Sequence, residues 1–366
     1  VNPNMNSDNI YGGLMTMNTE QDIQYTTLLR LRSLLDNINN SKVTLIGDIM
    51  LDRYYHGFAN NLNSTAPVPV IKIIDSYESP GAAAHIALGL NSLGMSIQLF
   101  SCVGDDAEGD KILSTLSDEG IDISNIMKIP NRKTLTKIRF YGSRESLLNN
   151  SQILLQADRE ALEPLSMETS DELVARAKLN LDNSSALVIS DYDKGVVSTK
   201  GAIELIKIAN LKDIPIIVDP KLTGLEKSRN ATIVLFEIRG LELLQRRLVL
   251  EDSAQTAQNL ISEYGWNSLL VLGGIEGMTL YRLDEVPIFF PCNATFTDQQ
   301  IGLHDAAAAA LAVSLGNGFS LLDSVTLASA ACDCILSATA SKEFISKDGL
   351  YLWLDELSWR MRISER

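Results

Sequence analysis

Apolar residues recur along this chain with two periods that take turns. Short runs that are apolar on both faces read as buried strands at 42–50 (KVTLIGDIM), 97–103, 186–190, 215–219, 231–236 and 268–272. Between them, apolar positions fall at the three-and-four spacing of an amphipathic helix. That spacing predicts helices over 26–40, 82–94, 107–119, 169–182, 198–211, 253–264, 304–316 and 321–338. The first carries Leu28, Leu29, Leu31, Leu34, Leu35 and Ile38 on its apolar positions. Strands that alternate with helices imply a mostly parallel sheet covered on both faces. Two segments, 53–77 and 134–156, break the alternation with β-rich stretches at Val68–Ile74 and Thr136–Tyr141. They are expected to pair as a small second sheet over the carboxyl ends of the main strands, where α/β folds bind ligands. The expected organisation is an N-terminal extension and helix (1–41), one domain (42–345) with these two lid inserts, and a C-terminal segment (346–366).

Composition narrows the function classes. The 366 residues carry a formal net charge of -15, which argues against nucleic acid or an anionic membrane as a direct partner. No apolar run reaches the roughly 20 residues that span a bilayer. Residues 1–25 hold no Lys or Arg, so neither a signal peptide nor a transit peptide is expected there, only a polar extension. Cys102, Cys292, Cys332 and Cys334 show no metal-binding spacing and read as small apolar residues of a reducing interior, cytoplasm or organelle matrix. The tail from Tyr351 holds Trp353, Leu354, Leu357, Trp359 and Met361, which must be buried on this chain or on a neighbour.

GDIMLDRY (47–54), APVPV (66–70), PGAAAHIALGLNSLG (80–94), SDYDKG (190–195), DPK (219–221) and GLHDAAAAAL (302–311) follow one another in a recognisable order. In that order the chain resembles the ribokinase-like (PfkB-type) carbohydrate kinases, over about 42–345, and within them the bacterial heptose-7-phosphate kinases. The resemblance implies an α/β fold with a β-sheet lid. It also implies ATP and Mg²⁺ as cofactors, a sugar-phosphate ligand, and a homodimer formed through the lids.

Phosphoryl transfer to a sugar needs a base near the hydroxyl, donors for the phosphoryl oxygens, and a metal to hold the nucleotide. In the family the base is an acid just inside a helix N-terminus, preceded by a Gly-Ala-Gly run whose backbone N–H groups form an anion hole. Here the run is Gly302, Leu303, His304, Asp305, with the second glycine replaced by His304; Gln299 and Ile301 stand where Asp and Thr usually precede. Asp305 reads as the base or, equally, as a helix N-terminal acid favoured by the dipole. The family's Asn-x-x-Glu, which organises Mg²⁺, becomes Glu237 and Gly240. The glycine pair beside the sugar becomes Gly81-Ala82, and the Asn after it becomes His85, read either as a substrate-binding hydrogen-bond donor or as a helix-surface histidine.

Asp52 matches the family acid that bonds sugar hydroxyls. Lys137 and Arg139 share one face of a lid strand and either meet a sugar phosphate or serve as an edge-strand charge pair. Asp191, Lys194 and Lys221 fall at strand ends, with Tyr192 and Gly195 shaping the pocket. Gly273-Gly274 and Gly277 resemble the nucleotide-side turn. Fold-keeping residues persist while the changes gather where phosphate and Mg²⁺ should sit. The expectation is therefore a degenerate kinase with a binding or structural role in an assembly. An active sugar-phosphate kinase using Asp305 and a sugar-phosphate or nucleotide sensor that binds without transfer are the alternatives.

Overall fold

A computed structural model describes residues 18–38, 41–143, 151–295, 301–338 and 344–363. The main sheet is built from β1 (Lys42–Gly47), β4 (Ser96–Gly104), β5 (Ile126–Ile129), β8 (Ala186–Asp191), β9 (Ile216–Pro220), β10 (Ile233–Glu237), β11 (Leu269–Leu272), β12 (Met278–Tyr281) and β13 (Ile288–Phe290). Its order is β13-β12-β11-β10-β9-β8-β1-β4-β5. Pairing is parallel from β5 to β11 and antiparallel for β12 and β13. The central strands alternate their side chains between two separate cores. Ala186 and Val188 of β8 join one core, and Leu187 and Ile189 join the other. That double burial is why these strands read as continuous apolar runs.

The first core lies under α2 (Ala83–Ser92), α3 (Ala107–Asp118), α8 (Leu303–Gly316) and α9 (Leu321–Leu336). The second lies under α4 (Met167–Asn180), α5 (Thr199–Leu211), α6 (Ile238–Leu248) and α7 (Ser253–Tyr264). In α8, Ala306 through Ala310 are all buried, so the small side chains let this helix sit deep against the sheet.

The lid is a four-stranded sheet of order β3-β2-β6-β7, from β2 (Ile49–Leu62), β3 (Pro69–Ala82), β6 (Thr136–Ser143) and β7 (Gln152–Arg159). Its strands lie within 49–82 and 136–159, against the expected inserts 53–77 and 134–156. The stretch 42–50 is not one strand, however. Asp48 interrupts it, and β2 starts the lid at Ile49. The cause is hydrogen bonding: Asp48 turns its carboxylate to three backbone N–H groups of the loop after β8.

The first helix, α1 (Asn18–Asp36), begins earlier than 26 and stops before 40. It packs on α10 (Lys347–Ile363), a helix the apolar pattern of the tail did not specify. Leu350 and Leu354 enter the first core, and Trp353 donates its Nε1–H to the buried Asp333 at 3.3 Å. The tail's apolar residues are thus largely covered by this chain itself, although Trp359 remains 63% exposed. No helix among the described residues is long and apolar enough to cross a membrane.

Candidate active site

The carboxyl ends of β1, β8, β9, β10 and β11 open on one edge of the sheet, and the lid stands beside that edge. Two cavities meet there. The larger, about 940 Å³, runs between the ends of β9 and β10, the first turns of α6 and the N-terminus of α8. The smaller, about 480 Å³, lies between the lid and the loops after β8 and β9. Tyr192, Lys221 and Leu222 line both.

Asp305 sits in the first turn of α8 and lines the larger cavity. Gly302, the N-cap, has φ +90°, and a Cβ there would come within 2.9 Å of His85 Cε1. Glycine is therefore required at this position on both counts. His85 is not a surface histidine: it is buried, and its Nδ1 lies 3.0 Å from Asp305 Oδ2. The helix-surface expectation fails because α2 packs against both the sheet and α8, which buries residues 83 to 90 throughout. Asp305 Oδ1 has no hydrogen-bond partner among the described residues. One carboxylate oxygen is thus held and the other is free to accept a proton.

His304 follows the same logic on the other side of α8's first turn. Its Nδ1 is 2.9 Å from Asp219 Oδ1. Burial opposes charge on the ring, but Asp219, Glu237 and Asp305 outweigh it and raise its pKa above the ordinary imidazole value. Leu303 is the residue of the run that points inward, into the first core.

On the sugar side, Asp52 is buried and accepts a 2.6 Å bond from Arg139 Nη1, whose guanidinium also reaches the Tyr54 hydroxyl at 3.3 Å. Arg139 is thereby committed to Asp52. Its lid neighbour Lys137 is the one that lines the smaller cavity. A Cβ at Gly81 would overlap Asp52 Oδ2, so that glycine makes room for the acid. The Lys137 and Lys221 ammonium groups both lie over the Tyr192 ring, 5.1 Å and 4.3 Å from its centre. Burial depresses the Lys137 pKa; Asp52 opposes that shift, while Lys221 and Arg139 add to it. Burial raises the Tyr192 pKa well above the ordinary phenol, so the platform is neutral.

The remaining expected residues divide. Lys194 lines the smaller cavity and pairs with Glu160. Asp191 does not join it. It is buried at the end of β8, and its Oδ1 takes a 2.9 Å bond from Lys227 Nζ. Burial works against the Lys227 charge, but Asp191 and Asp193 outweigh it and hold the ammonium above its usual pKa. Gly274 (φ +60°) and Gly277 (φ +84°) form the β11–β12 turn, closed by the 2.7 Å bond from Gly273 N–H to the Gly277 carbonyl, and Gly274 lines the larger cavity. Gln299 lies outside the described residues.

Asp48 and Lys227 carry structure that the sequence reading missed. Asp48 is buried and accepts from the N–H groups of Tyr192 (2.8 Å), Lys194 (3.2 Å) and Val196 (3.3 Å). Burial, with Asp191 adding, pushes its pKa up to about 6. The available signal was its place after Gly47, at the end of an apolar run in which a carboxylate needs a buried partner.

The expected metal-organising pair is incomplete, although Glu237 lines the larger cavity together with Glu242 and Glu276. Glu237 is the exposed N-cap of α6. Gly240, in the first turn, offers no donor, and a Cβ there would meet only the Leu222 side chain at 3.5 Å. A Cβ is accommodated at this position, but the side-chain carboxylate of the family pattern is not present.

The sequence matches the model of the pfkB family carbohydrate kinases over residues 40–347. The chain belongs to the PfkB family. It is 32% identical over 297 residues to the bifunctional protein HldE of Haemophilus influenzae (strain PittEE), covering 81% of this chain and 60% of that protein. The HldE of Enterobacter sp. (strain 638) is 30% identical over 304 residues, with 82% and 61% covered. The chain thus spans about 60% of the length of these curated relatives. Among solved structures, Arabidopsis thaliana ribokinase complexed with ribose and ATP superposes with a TM-score of 0.66 at 18% identity, covering 86% of this chain and 99% of that one. Escherichia coli phosphofructokinase-2 in complex with fructose-6-phosphate gives 0.67 at 19% identity, covering 87% and 100%. These likenesses establish the ribokinase-like fold, a large mostly parallel sheet with a separate small sheet, for this PfkB-family chain.

Proposed function

We propose that this PfkB-family chain binds a phosphorylated sugar, of the heptose-7-phosphate class, between its lid and the edge of its sheet. We further propose that ATP-dependent transfer to that sugar is slow or absent. The observation that carries the first part is the pair Lys137 and Lys221. In a chain with 46 acids and 31 basic residues, acid partners are plentiful. Yet among the described residues neither ammonium forms an ion pair with a carboxylate, and both crowd one tyrosine ring where the two cavities join. Lys221 works against the charge on Lys137, and a phosphate dianion within reach of both would offset that repulsion. Asp52, fixed by Arg139, stands nearby as an acceptor for sugar hydroxyls.

The second part rests on position 240, where the side-chain carboxylate of the family pattern is not present. A full kinase remains the second reading, and Asp305 favours it. With Oδ2 held by His85 and Oδ1 unpartnered, that carboxylate is posed to take a hydroxyl proton. Turnover of ATP with Mg²⁺ against heptose 7-phosphate and related sugar phosphates decides between them. The proposal expects rates far below the roughly 1–100 s⁻¹ usual for kinases. Turnover in that range, abolished by Asp305→Asn, overturns it in favour of the second reading.

We also propose that the chain forms a homodimer through its lid. Val70, Ile73 and Ile74 of β3 and Ile153 and Leu155 of β7 leave apolar surface exposed on the lid, suited to a second copy or to a larger complex. Sedimentation velocity of the chain, with Ile74→Lys as the disrupting variant, tests it.

A further inference from the structure

No cluster of His, Cys, Asp or Glu among the described residues could hold a metal ion directly, although Asp219, Glu237, Glu242, Glu276 and Asp305 all line the larger cavity. It faces the N-terminus of α8, a 14-residue helix, and is bordered by Lys221, Arg239 and Arg246. It also holds a group that a glycine-lined anion hole does not have, the His304 imidazole. Asp219 fixes Nδ1 at 2.9 Å, so the ring takes one orientation. Nε2 is shielded from water and has no hydrogen-bond partner among the described residues. With Nδ1 bound to Asp219, Nε2 carries a hydrogen only on the imidazolium, and in that state an entering anion would supply the acceptor it lacks. The charged groups facing the ring are Asp219 on β9, Glu237 at the start of α6 and Asp305 on its own helix, with neutral Tyr192 from the β8 loop. All three charges are negative, so they favour an imidazolium. Without that positive charge the same carboxylates would repel a phosphate.

We propose that His304, paired with Asp219, replaces the hydrated metal as the cation that receives a phosphate group here, so that the ligand of this half of the cleft is a metal-free nucleoside diphosphate. The inference goes beyond sugar-phosphate binding and stands on His304 and Asp219, although Lys221 lines both cavities. The test is isothermal titration of the whole chain with ADP, in EDTA and in excess Mg²⁺, at about pH 6 and about pH 9. ADP is expected to bind in EDTA at least as tightly as with Mg²⁺. Affinity should fall about tenfold or more as pH rises and the ring loses its proton. That direction is diagnostic, because the ligand's terminal phosphate gains charge above about pH 6 and would by itself bind better.

His304→Gly, which restores the family residue, is expected to lose about 10- to 100-fold of the metal-free affinity and the pH dependence with it. Asp219→Asn, which removes the ring's partner, gives the same direction and serves if the glycine variant does not fold. Gly240→Glu, which places a carboxylate beside Leu222, is expected to make binding tighten with Mg²⁺. Inorganic tripolyphosphate in place of ADP reports the phosphate contacts alone and is expected to show the same His304 dependence. The proposal is overturned if Mg²⁺ tightens wild-type binding tenfold, if His304→Gly binds metal-free ADP as well as wild type, or if ADP does not bind at all. Sugar-phosphate affinity, measured on the same preparations, reads the Lys137 and Lys221 site separately, so the two readings fail independently.

Discussion

Asp48→Asn isolates the carboxylate that holds the Tyr192 loop to the sheet. Asp48 is 1% exposed and accepts three backbone N–H groups, yet its pKa stands at about 6 against an ordinary 3.8, because burial and the neighbouring Asp191 outweigh those bonds. The difference is about 2 units, or roughly 3 kcal/mol at 1.36 kcal/mol per unit. The sign follows from linkage. The folded chain holds this proton more tightly than the unfolded chain. The contribution to stability is therefore fully present below about pH 4 and is lost as pH rises through about 6. Asparagine keeps the shape and does not titrate. Urea unfolding followed by tryptophan fluorescence, on both proteins at several pH values, gives the gap between them. That gap should move by about 3 kcal/mol in favour of the variant between about pH 4 and pH 7, since the other titrating groups largely cancel in the comparison. A gap that does not change with pH would refute the assignment of Asp48 as a buried, penalised carboxylate.

Gly81→Ala should destabilise the chain by about 1–3 kcal/mol in the same assay and weaken sugar binding, because the new methyl overlaps the Asp52 carboxylate. Lys227→Met removes the partner of buried Asp191 and should cost about 3–5 kcal/mol, read from the urea midpoint. Arg139→Met should raise the dissociation constant for the sugar through a displaced Asp52, while metal-free ADP binding, measured in parallel, stays unchanged.

Much of the fold was legible because the main strands are buried on both faces and bounded by clear helical periods. The lid's place was legible from the break in that alternation. Three things were not. The break at Asp48 was hidden because its partners are backbone N–H groups 144 to 148 residues away, and no local pattern encodes them. His85 was misread because a helix face covered by another helix cannot be told from an exposed one by spacing alone, and α8 is far away in sequence. Asp191 was assigned to the cleft as a strand-end acid, but its partner Lys227 lies in a short turn that carries no motif. The positions of Asp305, Asp52 and Gly81 were readable from motif order, whereas the pairing of His304 with Asp219 required the sheet that brings β9 under α8.

The central claim, that the cleft is built for a phosphorylated sugar, is tested most directly by titrating the chain with heptose 7-phosphate and with the same heptose lacking its phosphate. The account predicts about 10- to 100-fold tighter binding of the phosphate ester, falling with salt and largely abolished in the Lys137→Gln/Lys221→Gln variant. Equal affinity for the two sugars, or full retention of the preference in that variant, would contradict it.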